Sequence, residues 1–267
     1  MSDATRATTP FGLIVPERMG QGLLAIAEQV GGIGVLAGRL VARLVPPRID
    51  RYELIRNCHK MGVRSVGIVS ATALFTGAIM VVQAAPLVVR FSATEIIGWG
   101  AGFAILREVA PLLIALMFSG RVGANNTAEL GTMVVTEQLD ALRALAIDPL
   151  SYLILPRVIA MILMLFVLNI FGDLVAIIGA IISAKALLDV DAHMFMNSFL
   201  NMIDHWDFLQ SLVKSVAFGT MIALTSCYFG LNVKGGAPGV GRAVNSAVVA
   251  AAIGIFVMDY FSTFVLK

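Results

Sequence analysis

Residues 155–182 read LPRVIAMILMLFVLNIFGDLVAIIGAII, and beyond Arg157 the stretch carries one charged side chain, Asp173. A helix needs about 20 apolar residues to cross a bilayer core, and this run exceeds that. Working outward, four further stretches meet the same standard: Val63–Val89, Ile96–Phe118, Phe208–Phe229 and Ala243–Leu266. Composition agrees. Of 267 residues, 58% are hydrophobic and only 13% charged, where a soluble domain carries about 25% charged residues. A soluble enzyme, a disulfide scaffold and a disordered regulator are excluded. A net charge of +2 with no long basic block argues against nucleic acid as a partner.

The basic residues orient the spans. With the N-terminus cytoplasmic, most of the 19 Lys and Arg fall inside: Arg6 to Arg64 up to the start of the first span, Arg121, Arg143 and Arg157 from the end of the second to the start of the third, Lys234 and Arg242 between the fourth and fifth. Arg90, Lys185, Lys214 and Lys267 remain toward the outside, and Arg107 lies within a span. Five spans then put the C-terminus outside. The segment Lys185–Asp207 has Asp189, Asp191, Asp204 and Asp207 against one lysine, which suits an exported loop. Phe195, Phe199, Met202 and Trp206 recur in it at helical spacing. Trp99 and Trp206 suit the outer interface.

The N-terminal part is different. The first ten residues are polar, with no signal-peptide pattern. From Glu17 to Val45 charged residues and glycines interrupt the apolar ones, as expected for an amphipathic helix lying along the inner surface. Pro46 and Pro47 break the chain, and Arg48–Lys60 reads as a short basic helix leading into the first span.

Charges within spans cost about 2.5–3.5 kcal/mol each on insertion scales, so they face a packed interior or a watery cavity. Arg107 and Glu108 stand about 18 Å into the second span at 1.5 Å per residue. Asp173 lies in the third, Lys214 in the outer part of the fourth, and Asp259 about two turns from the end of the fifth. The expectation is that Glu108, Asp173 and Asp259 converge with Arg107 and Lys214 on one polar zone. Ion pairs that fix helix packing, a headgroup cavity and a proton path all answer to this pattern. Gln83, Thr72 and Thr76 add uncharged polar groups to the first span.

Ser119–Asp148 is too long for a turn. From Thr136 onward, Glu137 and Asp140 precede Arg143 as a helix dipole favours, and Leu139, Leu142, Leu145 and Ala146 share a face. This is either a docking helix or one lying against its own bundle. The loop KGGAPGVGR (Lys234–Arg242) is glycine-rich but completes neither G-x-x-x-x-G-K-[ST] nor G-x-G-x-x-G. His59, His193 and His205 are too scattered for a metal set, and Cys58 and Cys227 read as unpaired.

Gly120-Arg121-Val122-Gly123-Ala124, Ala128-Glu129-Leu130-Gly131-Thr132-Met133, Thr136 to Leu142 (TEQLDAL), Arg107-Glu108 with Pro111, Pro156-Arg157 and KGGAPGVGR together resemble the MlaE family of ABC-transporter permeases, from about Arg48 onward. The resemblance implies an all-α integral membrane protein. It would have an N-terminal interfacial amphipathic helix, five transmembrane helices, and a cytoplasmic coupling helix between spans two and three. It divides the chain into residues 1–62, a tail with interfacial and elbow helices, and 63–267, a five-span permease domain with the coupling helix at about 134–147 and a periplasmic loop at about 184–207. It further implies a phospholipid permease moving lipid between inner and outer membranes, a homodimer in a bacterial inner membrane. Its partners would be a cytoplasmic MlaF-like ATPase that binds the ATP and Mg, a periplasmic MlaD-like MCE-domain ring and, in the Mla case, a MlaB-like STAS-domain protein. The chain itself would bind no cofactor and no metal, and would not be an enzyme. Gln83, Arg107, Glu108, Lys214 and Asp259 match positions along the lipid path, and Glu137, Gln138, Asp140 and Arg143 match the ATPase-coupling helix. The competing reading is an ion-coupled secondary transporter or channel using the intramembrane carboxylates. The lack of an internal repeat and the odd number of spans weigh against it.

Overall fold

The computed structural model describes residues 11–43, 50–92 and 94–266. Among these it is built from helices alone. They are α1 (Phe11–Ala42), α2 (Arg51–Gly62), α3 (Val66–Arg90), α4 (Ile97–Ala104), α5 (Ala110–Phe118), α6 (Ala124–Val135), α7 (Gln138–Ala144), α8 (Leu155–Leu188), α9 (Ala192–Met202), α10 (His205–Leu231) and α11 (Gly236–Val265).

Five continuous helical stretches are long and apolar enough to cross a membrane: Arg51–Arg90, Thr94–Val135, Leu150–Leu188, His205–Leu231 and Gly236–Val265. The chain is a multi-pass membrane protein. α2 runs into α3 through a 3-10 turn at Val63–Ser65. The second stretch threads α4, α5 and α6 through π turns at Ile105–Val109 and Ser119–Gly123, and a third π turn, Leu150–Ile154, opens α8.

The local signals are legible. Asp50 caps α2 by accepting from the Tyr52 N–H at 2.9 Å. Asp204 and Asp207 form a reciprocal capping box that starts α10, satisfying donors a helix start leaves free. Small residues then let the helices meet. A Cβ on Gly77 of α3 would collide with the Ala176 backbone of α8, and one on Gly179 with the Leu74 backbone. With no hydrophobic drive between helices in lipid, such close approach is the source of packing energy. α10 sits centrally, packed on α6, α8 and α11, and buries Phe218 and Ile222 completely beside Met161, Leu165 and Phe118. α9 packs across α4, where Gly98 lies against the Phe195 carbonyl.

Three expectations change. Ser119–Val135 is not loop but helix, an extension of the second span, because π turns carry it through its glycines and arginine. The helix expected at about 134–147 breaks at Thr136–Glu137, where Glu137 takes a left-handed conformation (φ 58°). α7 alone follows, and Leu145 and Ala146, expected on its apolar face, fall beyond its end and are exposed. The KGGAPGVGR stretch is mostly the first turns of α11, with only Asn232–Gly235 as linker and Gly235 and Gly236 at φ 87° and 66°. The N-terminal helix is present as α1. The break at Pro46–Pro47, residue Arg48, the first ten residues and Lys267 lie outside the described residues.

Candidate functional site

The polar zone forms around Lys214, whose side chain is fully buried. Its Nζ donates to the Arg107 carbonyl at 2.7 Å and to Glu108 Oε2 at 2.8 Å. It also lies 2.9 Å from Asp259 Oδ1 as an ion pair outside hydrogen-bond alignment, so that oxygen accepts no hydrogen bond. The π turn at Ile105–Val109 explains the carbonyl. A widened turn disturbs the regular backbone ladder and leaves an acceptor free to face a neighbouring helix. Glu108 is held from its other side by the Thr263 hydroxyl, which donates to Oε1 at 3.0 Å. Helices α10 and α11 and the π turn thus meet at one ammonium group.

Arg107 points elsewhere. Its guanidinium lies 3.7 Å from Asp207 Oδ1 and 5.1 Å from the centre of the Phe103 ring, a cation over an aromatic face. The zone therefore holds Glu108, Asp207 and Asp259 against Arg107 and Lys214. Burial is uneven. The Glu108 side chain is 39% exposed while Lys214 is sealed, so the cluster opens through Glu108.

One expected member is not there. Asp173 belongs to a separate buried set between α8 and α10, where Asn169 donates to Asp173 Oδ2 (3.1 Å) and to Ser211 (2.7 Å), and Ser211 donates to Asp173 Oδ2 (2.9 Å). Its place in the ionic zone is taken by Asp207, assigned from sequence to the exported loop. Asp207 sits in the first turn of α10 because the capping box starts the helix at His205; that acidic pair before an apolar run was the signal that could have revealed it. Gln83 lies on the exposed face of α3, apart from the cluster.

At the opposite end of the bundle, Glu137, Gln138, Asp140 and Arg143 are all exposed on α7 and the bend before it. Arg143 pairs with Asp140 at 2.7 Å, while Leu139, buried to 5% exposure, anchors α7 inward with the half-buried Leu142. Behind it lies a cavity of about 390 Å³ lined by residues of α1, α6, α7, α10 and the π turn before α8, among them Leu36, Leu139, Ile154 and Tyr228. Arg43, at the end of α1, closes this side by an ion pair to Asp148 at 3.0 Å.

The permease MlaE family model matches residues 54–265. The chain belongs to the MlaE permease family. A probable ABC transporter permease protein of Synechocystis is 37% identical over 86% of this chain and 88% of its own length. Another from Rickettsia felis is 35% identical over 94% and 97%. The chloroplastic protein trigalactosyldiacylglycerol 1 of Arabidopsis thaliana is 33% identical over 85% of this chain and 65% of its own length. As an MlaE permease the chain is a transport subunit of ABC-transporter type, and the matched residues include all of the Lys214 cluster and α7. Among the described residues no group of His, Cys, Asp or Glu could hold a metal ion.

Proposed function

We propose that this MlaE permease moves phospholipids between the inner and outer membranes of a bacterium, as a homodimer driven by ATP hydrolysis in a separate cytoplasmic ATPase. The observation that carries the reading is a headgroup-and-tail arrangement on α11. Asp259 and Thr263 face the Lys214 cluster, which opens through Glu108. The same helix leaves Ile253, Phe256, Val257, Tyr260, Phe261 and Phe264 uncovered. Charge at one side of a helix and bare hydrocarbon on the other suit an amphiphile between two copies of the chain. Gln83, with the bare Phe75, Ile79 and Val82 on α3, would line the tail side. The Arabidopsis relative's name is that of a galactolipid, which supports lipid as the cargo class.

Membership of an ABC permease family implies an ATPase partner, and that partner would bind ATP and Mg. Exposed Glu137, Gln138, Asp140 and Arg143 would sit in its groove, cytoplasmic with the N-terminus, while α9 and the C-terminus face the periplasm and an MCE-domain ring. A STAS-domain protein would accompany the ATPase. The ion-coupled alternative is disfavoured by Lys214. A carboxylate that carries protons must exchange its charge readily, and Glu108 and Asp259 are both tied to one buried ammonium.

The test is co-reconstitution with the ATPase and measurement of labelled phospholipid transfer to an acceptor. Transfer should require ATP and fall in Glu137→Lys and Asp140→Lys variants. Transfer driven by an ion gradient without ATP would overturn the reading in favour of the alternative.

A further inference from the structure

At the α7 end of the bundle two helix irregularities face one another. The 3-10 turn Val63–Ser65 presents Arg64, and the π turn Ser119–Gly123 presents Arg121. Between them lies a cavity of about 100 Å³ lined also by Lys60, Asn125, Asn126 and Glu129. Its floor is buried and ordered. Ser65 donates to the Met61 carbonyl at 2.7 Å, and Asn126 accepts from Arg157 at 3.3 Å while donating to Ser226 at 2.9 Å. One acid serves this whole region. Glu129 pairs with both Lys60 and Arg157, and no acid lies within ion-pair distance of Arg64 or Arg121 among the described residues. Charge therefore accumulates: Lys60, Arg64 and Arg121 line the cavity with Glu129, whose charge is already shared with Arg157.

We infer that this cavity is an anion site for a phosphate group bearing net negative charge, filled by the headgroup of an anionic phospholipid at the membrane edge. Guanidinium groups meet phosphate oxygens with paired N–H donors, and Asn125 adds an amide donor. The volume admits a phosphate group but no acyl chain. Beside the opening, Val63 and Val66 are exposed apolar residues at the start of the span, which places the cavity where lipid phosphates meet hydrocarbon. Soluble phosphate shares the same chemistry but has no use for that apolar margin. The site is at the opposite end from the Lys214 cluster and does not rest on the transport reading, so either can fail alone.

The experiment is native mass spectrometry of the full chain in neutral detergent, with phosphatidylglycerol, phosphatidylcholine or inorganic phosphate added separately. Phosphatidylglycerol should be retained over phosphatidylcholine, and the double variant Arg64→Gln with Arg121→Gln should weaken this roughly tenfold. Arg90→Gln, at the other end of the bundle, should leave it unchanged. Should the double variant fail to fold, Arg64→Lys with Arg121→Lys keeps the charge but loses the forked donors, and should show an intermediate loss. Displacement of phosphatidylglycerol from the wild-type chain by millimolar phosphate would keep the anion site but reassign its occupant to a soluble phosphate. Equal retention of both lipids by the wild type, or an equal loss in Arg90→Gln, would overturn the proposal.

Discussion

Lys214 Nζ and Glu108 Oε2 lie 2.8 Å apart, the ammonium fully buried and the carboxylate partly open. The carboxylate stabilises the ammonium's charge where water cannot, and Asp259 depends on the same ammonium. Removing one partner of a buried pair leaves an uncompensated charge, which costs about 3–5 kcal/mol. Lys214→Met should therefore lower the unfolding midpoint of the purified protein severely. Adding Glu108→Gln and Asp259→Asn to it should restore much of the loss, because no unpaired carboxylate is left. Should the triple variant be no more stable than Lys214→Met, packing around the lysine stem rather than charge pairing holds this region together.

The α3–α8 contact makes a second prediction. Gly77 and Gly179 each meet opposing backbone, which cannot rotate away as a side chain can. Gly77→Ala or Gly179→Ala should destabilise by about 1–3 kcal/mol through overpacking. Gly100→Ala, with nothing within 4 Å, should be silent or slightly stabilising, since alanine is the better helix former. Thermal unfolding in one detergent would compare the three. Equal midpoints would show that the two helices separate at little cost.

Much of this fold is written in the sequence because lipid imposes so strong a rule. Five apolar runs announced five spans, and the sequence spacing of Phe195, Phe199, Met202 and Trp206 announced α9, although the helix stops at Met202 and Trp206 falls in the first turn of α10. What did not show is the way helices absorb irregularity. Ser119–Gly123 looks like a loop by its glycines and Arg121, yet a π turn carries it inside a continuous helix. Intramembrane charge showed where polar contacts form but not with whom. Asp173 and Lys214 both bond through α10, yet Asp173 meets Ser211, one turn before Lys214, and stays in a hydrogen-bonded set with Asn169 and Ser211. Such pairing depends on helix rotation, which composition does not encode.

Asp148 links α1 to the turn before α8. Partial burial acts to raise its pKa, but the Ser151 hydroxyl, the Leu150 N–H and Arg43 outweigh that, and the carboxyl is held below its ordinary value. A lowered folded-state value means that its contribution to stability is full above the ordinary carboxylate range, about pH 4, and is lost as pH falls through the folded value. Hydrogen exchange across Leu36–Arg43 should therefore hold steady from neutral pH to about pH 5 once corrected for intrinsic rates, then lose protection below about pH 4. Asp148→Asn should show the weaker protection at every pH. Identical protection in variant and wild type would mean that the apolar contacts of Leu36 and Leu40 hold α1 unaided.

Glu137 stands at the bend between the second span and α7 with φ 58°, a conformation costing a side-chain-bearing residue about 1–2 kcal/mol. Its position is therefore set by the bend and its charge by whatever it meets, and two substitutions separate these. Glu137→Gly relieves the strain but adds unfolded-state entropy, so stability should shift by less than about 1 kcal/mol. Glu137→Lys keeps the strain and reverses the charge. If the exposed acid docks the ATPase, lipid-stimulated ATP hydrolysis by the reconstituted complex should fall modestly in Glu137→Gly and steeply in Glu137→Lys. Equal falls in both would assign the effect to the backbone bend, and no fall in either would remove Glu137 from the coupling surface, leaving Asp140 and Arg143 to carry it.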